Sequence, residues 1–185
     1  MYLVSWANAA GIVAQRLMPD GTTVDANPFI VISAGLGGAN VAALGNNFLV
    51  VGRKPGTYSQ YIFPAAARVS GDGTVLDTSP LLLGNSYLRT APAVVALAGR
   101  WLVAWHRNTS HDSPYASSMG AFVDAAGTAT PEFTIHGSFS TAGGNGIFEV
   151  GLASSGSTAL FVQSKELTSG VENDLLCHTI DAAGT

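Results

Sequence analysis

Four short apolar runs recur along the chain, each followed by the same kind of turn, and this repetition restricts the fold more than any other feature. The runs are Tyr2-Leu3-Val4-Ser5-Trp6, Phe48-Leu49-Val50-Val51-Gly52, Trp101-Leu102-Val103-Ala104-Trp105 and Ala159-Leu160-Phe161-Val162-Gln163. Their shared leucines, Leu3, Leu49, Leu102 and Leu160, step by 46, 53 and 58 residues. The turns are Pro19-Asp20-Gly21-Thr22, Gly71-Asp72-Gly73-Thr74, Asp124-Ala125-Ala126-Gly127-Thr128 and Asp181-Ala182-Ala183-Gly184-Thr185, and their glycines step by 52, 54 and 57. Two landmarks that keep one order and similar periods mark a repeated supersecondary unit.

Two weaker runs complete the unit. After each turn comes Phe29-Ile30-Val31-Ile32, Leu81-Leu82-Leu83 or Phe133-Thr134-Ile135, and then Asn40 to Gly45, Ala93 to Gly99 or Phe148 to Leu152. All are short, enriched in β-branched or aromatic residues and bounded by turn chemistry, so each copy reads as four strands. Asp-Gly between apolar segments supplies the positive backbone angle of a tight hairpin. In the third and fourth copies the turn reads as lengthened to Asp-Ala-Ala-Gly. The expected units are 2–45, 48–99, 101–156 and a half-unit at 159–185, within a single domain spanning 1–185.

The first run of each copy is almost continuously apolar, as in a strand buried on both faces, whereas the second carries polar residues such as Gln15 and Arg16. That gradient predicts an all-β, β-propeller-type fold of about three and a half four-stranded antiparallel blades, either a partial propeller or a segment of a larger one, with the first run innermost. Trp6, Trp101 and Trp105 are expected between blades, and the single cysteine, Cys177, as a small buried hydrophobe. Open ends would expose apolar flanks, which predicts self-association.

Composition removes several classes of function. Charged residues make up 11% of the 185 and the formal charge is -4, with the eight Lys and Arg scattered, so no basic stripe exists for nucleic acid. Gly, Ser, Asn or Pro interrupts every apolar stretch before it reaches the length of a membrane-spanning helix.

The run Trp101 to Trp105, followed by a variable loop, then Gly120-Ala121-Phe122-Val123-Asp124 and a Gly-Thr turn, resembles the β-propeller-type repeats of large bacterial secreted or surface proteins. The resemblance covers the whole chain. It implies a propeller fold and an extracellular or cell-surface location, and no one activity.

Loops carry function where strands carry packing, so the candidate site falls in the connections between first and second strands and between third and fourth. Tyr58, Tyr61, Arg89, Arg107, His111 and Tyr115 are the candidate ligand-binding residues, because rings and guanidinium groups offer stacking and directional hydrogen bonds. His106, His111 and Asp112 lack the spacing of a metal site and read as solvated loop groups; Asp20, Asp72, Asp124 and Asp181 read as turn stabilisers, not calcium ligands. Glu132, Glu149 and Glu166 could supply a glycosidase pair, but nothing in their spacing sets the separation such a pair requires. Ser110, His111 and Asp112 are consecutive and cannot adopt triad geometry. The reading is a non-catalytic binding or structural module that presents a loop-rich face to a protein or glycan partner, without cofactor or metal. The alternative is a fragment of a carbohydrate-active, glycosidase-like propeller enzyme.

Overall fold

The computed structural model describes residues 1–56, 61–84, 87–88, 90–108, 115–140, 150–168 and 172–185, which contain fifteen β-strands and no helix. The first blade is β1 (Tyr2–Asn8), β2 (Gly11–Leu17) and β3 (Phe29–Ser33), antiparallel in that order. The second is β4 (Gly37–Leu44), β5 (Asn47–Pro55), β6 (Ile62–Ser70) and the short β7 (Leu81–Leu82). After β8 (Tyr87–Leu88), the third blade comprises β9 (Ala93–Leu97), β10 (Arg100–Asn108), β11 (Tyr115–Val123) and β12 (Phe133–Ser140). The fourth comprises β13 (Val150–Ser154), β14 (Ala159–Thr168) and β15 (Glu172–Ile180). The fold is an all-β partial propeller.

The blades are offset by one strand from the sequence copies. The fourth run of each copy pairs with the first run of the next: Leu44 faces Asn47 across Gly45-Asn46, and Leu97 faces Arg100 across Ala98-Gly99. A two-residue link between antiparallel runs leaves no other partner, and Ala98 at φ 50° with Gly99 at φ 78° adopts the doubly left-handed backbone that such hairpins use. The expected units 2–45, 48–99 and 101–156 therefore describe the sequence repeat, while the sheets run across its boundaries.

The same offset changes which strand lies inside. β4 packs against β9 and β9 against β13, so the fourth run lines the inner edge and the first run stands second. Converging inner strands demand small side chains: a Cβ built on Gly38 would lie 2.6 Å from the Cβ of Ala91. Trp101 Nε1 donates to the Ala42 carbonyl at 3.1 Å and Asn40 Nδ2 to that of Pro92 at 2.9 Å, fastening this edge. The first run is not more buried than the second: in the two middle blades Leu49–Gly52 and Pro64–Ala67, then Trp101–His106 and Ala116–Val123, are buried alike, because both strands have a neighbour on each side and a blade on each face.

Three apolar clusters fill the spaces between blades. Leu3, Ile12, Ala14 and Ile32 meet Val50, Ala65 and Ala67; Leu49, Val51 and Ala66 meet Trp101, Val103 and Trp105; Leu102, Ala104 and Phe122 meet Ala159, Phe161 and Ile180. Full burial of each Val, Leu, Ile or Phe among them contributes about 1.5–3 kcal/mol. Trp101 and Trp105 are core, as expected, but Trp6 is 37% exposed, since it lies on the side of the first blade that no other blade covers. Cys177 is exposed for the corresponding reason on the fourth blade.

All four hairpin turns have one length. Gly21, Gly73, Gly127 and Gly184 have φ between 86° and 90°, and each amide donates to the carbonyl three residues earlier, in Met18, Ser70, Asp124 and Asp181. The turn thus does not lengthen in the later copies; the aspartate moves from its third position to its first. In either place its carboxylate accepts the following threonine amide, from Thr22, Thr74, Thr128 or Thr185.

Each turn after the first also receives an arginine from the preceding blade. Arg16 is held by Asp25 and donates to the Gly71 carbonyl at 3.2 Å; Arg68 is held by Asp77 and donates to the Ala125 carbonyl at 2.7 Å. Arg100 donates to the carbonyl of Ala182, the equivalent residue of the fourth turn, at 2.5 Å. These latches knit the blades at the Asp-turn end.

Candidate functional site

The opposite end of the blades carries the candidate residues. Tyr58, Arg89 and His111 lie outside the described residues, as do Ser110, Asp112 and Glu149. Tyr61, Arg107 and Tyr115 are brought to one end of the second and third blades by β8, which pairs Tyr87 with Ile62 on one side and with Asn108 on the other. Asn108 in turn faces Ala116, the neighbour of Tyr115.

Tyr61 stacks on Tyr87, with ring centroids 4.9 Å apart and planes 28° from parallel, and lies 6.4 Å from the ring of Phe63. A hydrogen bond with the Tyr61 phenol raises the Tyr87 hydroxyl above its ordinary pKa. The Gly56 amide donates to the Tyr61 carbonyl at 2.8 Å, closing the base of the connection and setting the ring's position. Tyr115, the first residue of β11, is 51% exposed.

Arg107 Nη1 donates to Glu132 Oε1 at 2.5 Å, with the two side chains 32% and 24% exposed. The other carboxylate oxygen of Glu132 is buried without a hydrogen-bond partner. It occupies space that Gly84 leaves open: a Cβ there would lie 2.5 Å from Glu132 Oε2 and 3.0 Å from Trp105 Cζ2. Rings, a guanidinium and an acceptor thus gather where the second and third blades meet, a combination suited to stacking and hydrogen bonding with a polar ligand.

His106 is not a solvated loop residue. It lies in β10, 2% exposed, with Nε2 2.9 Å from Gln163 Oε1, and the Ser118 hydroxyl donates to the same oxygen. Gln163 ends the fourth apolar run at the place where Trp105 ends the third, so it replaces an aromatic filler with a polar junction between blades. His136 and His178 lie beside it, ring centroids 4.9 Å apart. Among the described residues, no three His, Cys, Asp or Glu side chains gather as a metal site.

Sequence reasoning placed Tyr87 in the connection between third and fourth strands but left it out of the candidate set, and it passed over the arginine latches. Tyr87 stood in a weak connection, although its ring type was the same signal that singled out Tyr61. The latches had a legible trace: Arg16 and Asp25 are separated by nine residues, as are Arg68 and Asp77.

The described carboxylates at the Asp-turn end are engaged inside the fold. The Thr22 amide and hydroxyl hold Asp20 below the usual carboxylate range, the Ser70 hydroxyl followed by the Thr74 amide and hydroxyl does so for Asp72, backbone amides do so for Asp124 and Asp181, and Arg16 does so for Asp25.

No family model and no curated protein sequence matches the chain. Among solved structures it is similar to the GH32 β-fructofuranosidase BmSUC1 of Bombyx mori, with a TM-score of 0.50 and 13% identity over 94% of this chain and 40% of that one. The chain thus spans about two fifths of that enzyme. It is also similar to a GH43 endo-arabinanase from Bacillus licheniformis, with a TM-score of 0.32 and 11% identity, covering 97% of this chain and 90% of that one. At such identity the likeness to the GH32 structure is one of fold, and it agrees with a partial propeller.

Proposed function

We propose that the chain is a non-catalytic propeller-type module that binds through the loop-rich end of its second and third blades, and that its partner is a glycan or a protein. The observation that carries this reading is the contrast between the two ends. At one end the aspartates cap their own turns and the arginines latch neighbouring blades. At the other, Tyr61, Tyr87, Tyr115 and the Arg107–Glu132 pair stand together, partly or largely open to solvent. Flat rings beside hydrogen-bonding groups match the alternating C–H and hydroxyl faces of sugars, which favours a glycan. Tyr58, Arg89 and His111 extend the same set in sequence.

An array of immobilised glycans probed with the full chain tests the proposal. Once a binding glycan is found, Tyr61→Ala and Tyr115→Ala should each weaken binding by about tenfold. Asp20→Ala and Asp72→Ala should leave it unchanged. The reverse pattern would place recognition at the Asp-turn end and overturn the proposal.

The second reading, a fragment of a carbohydrate-active enzyme, is favoured by the fold likeness to the GH32 β-fructofuranosidase. A glycosidase requires two carboxylates about 5–9.5 Å apart across a substrate. Glu132 is held by Arg107, and Glu166 and Glu172 lie on β14 and β15 beside the corresponding connection of the fourth blade. Turnover of a chromogenic glycoside that disappears in Glu132→Gln or Glu149→Gln would favour the enzyme.

A further inference from the structure

We infer that the third and fourth blades are joined through a histidine layer that makes their interface a pH-sensitive joint, closed while the imidazoles are neutral and loosened when they take up protons. Three residues form one row across the third blade: His106 in β10 faces Ser118 in β11, which faces His136 in β12. Ala104 and Leu102, two and four residues before His106, pack against Ala159 and Phe161, so this side of the row meets the fourth blade. There it finds Gln163 in β14 and His178 in β15, the cross-strand partner of Phe161. The Ser118 hydroxyl donates to Gln163 Oε1, and His106 Nε2 lies 2.9 Å from the same oxygen. The rings of His136 and His178 stand 4.9 Å apart across the joint, with planes 43° from parallel.

The place that Gln163 holds is apolar in the other two interfaces, where Gly52 lies against Ile12 and Trp105 clusters with Leu49 and Val51. Three of the chain's four histidines stand in this one layer, so titration near neutral pH is concentrated there.

The closed joint favours neutral rings. Gln163 Oε1 can only accept, so His106 Nε2 carries the proton of the neutral ring, and a second proton would enter at the buried Nδ1. His106 is 2% exposed, and burial disfavours the charged form. Both nitrogens of an imidazolium donate, yet His178 Nε2 is buried without an acceptor. One proton shared between His136 and His178 leaves a single charge, whereas a proton on each sets two like charges face to face. Separation of the blades brings water to these groups and distance between them. The open arrangement therefore binds more protons than the closed one. Closure is at full strength above about pH 6.5 and is lost as pH falls below it.

Other ionisable groups around the layer are matched or placed elsewhere. On β10, Arg100 lies over Phe122 and Arg107 is paired with Glu132; β11 adds Tyr115 at its exposed start. β12 has no ionisable residue besides His136, and β13 has none. On β14 and β15, Asp174 stands opposite Lys165 in register, Glu166 and Glu172 lie further along, and Cys177 is exposed. Asp181, past the end of β15, accepts the Ala183 and Thr185 amides of its own turn.

Hydrogen exchange of the full chain at about pH 7.5 and about pH 5.5, read by mass spectrometry and corrected for the intrinsic pH dependence of exchange, tests this. The lower value stays above the range in which carboxylates take up protons. Protection in peptides from β10–β12 and β13–β15 should fall about tenfold at the lower pH, as uptake of one further proton on opening requires, and protection in β1–β3 should hold. His136→Gln and His178→Gln each remove one of the two facing charges and should each abolish most of that fall. Should either fail to fold, phenylalanine at the same position takes its place. Unchanged protection at the lower pH would overturn the inference, as would a fall shared equally by all four blades, or one that both variants retain in full.

Discussion

The guanidinium of Arg100 lies 4.0 Å from the centre of the Phe122 ring. Phe122 occupies the place in the third blade that Arg16 and Arg68 hold in the first two, facing Leu102 as they face Leu3 and Leu49. The latch survives this exchange because an arginine at the start of the neighbouring strand stacks over the ring and reaches the Ala182 carbonyl instead. Replacing Arg100 by alanine should cost about 1–2 kcal/mol, the combined worth of a partly exposed cation–π contact and one charge-assisted hydrogen bond. Urea denaturation measures it.

Arg68 should matter more. Its partner Asp77 is 8% exposed, so Arg68→Met leaves a carboxylate largely removed from water and without its countercharge, while it still accepts the backbone amide of residue 68. The expected loss is about 2–3 kcal/mol, and the double change Arg68→Met with Asp77→Asn, which removes the charge and keeps an acceptor for the residue 68 amide, should recover much of it. A double change no more stable than the single one would show that the pair was not the source.

The turn glycines should separate into two classes. Gly21→Ala meets no neighbour and should cost about 1 kcal/mol for its left-handed backbone alone. Gly127→Ala would place a Cβ 2.5 Å from Arg68 Cζ and should cost clearly more. Introducing Gly127→Ala into an Arg68→Ala background should bring its cost down to that of Gly21→Ala, as measured by thermal or urea unfolding.

Acid should weaken the fold. Asp25 is held below its ordinary pKa of 3.8 chiefly by the Arg16 hydrogen bonds, and the turn aspartates are held low by their caps. A depressed folded-state value means that this stability is fully present above the unfolded pKa of about 3.9 and is lost as pH falls from there through the folded value. The urea midpoint should therefore drop below about pH 4, and Asp25→Asn should flatten that part of the profile.

The strands were legible because the repeat brought their signals into register, and the turn glycines because only a left-handed backbone closes such a hairpin. The grouping of strands into blades was misread, because the reading followed the repeat copies; the signal that corrects it lies at Gly45-Asn46 and Ala98-Gly99, where two residues cannot carry a chain from one blade to another. Trp6 and Cys177 were misjudged on identity. Their chemistry suits a core, and their exposure follows from position at the ends of the array. Arg100 was not legible, since its equivalence to Arg16 exists across two strands and not along one. At the loop-rich end, Tyr61, Arg107 and Tyr115 could be named by residue type, but their gathering depends on β8, a two-residue strand too short to leave a pattern.

The absent side chain at Gly38 has a geometric consequence. Blades arranged around an axis diverge like slices of a circle, and the angle of each slice depends on how closely the narrow edges can meet. With Gly38 set against Ala91, the second and third blades approach nearly to the limit that backbone allows. A methyl group at position 38 would act as a wedge driven in at the apex. The narrow edges of these two slices can meet this closely only while position 38 carries no side chain.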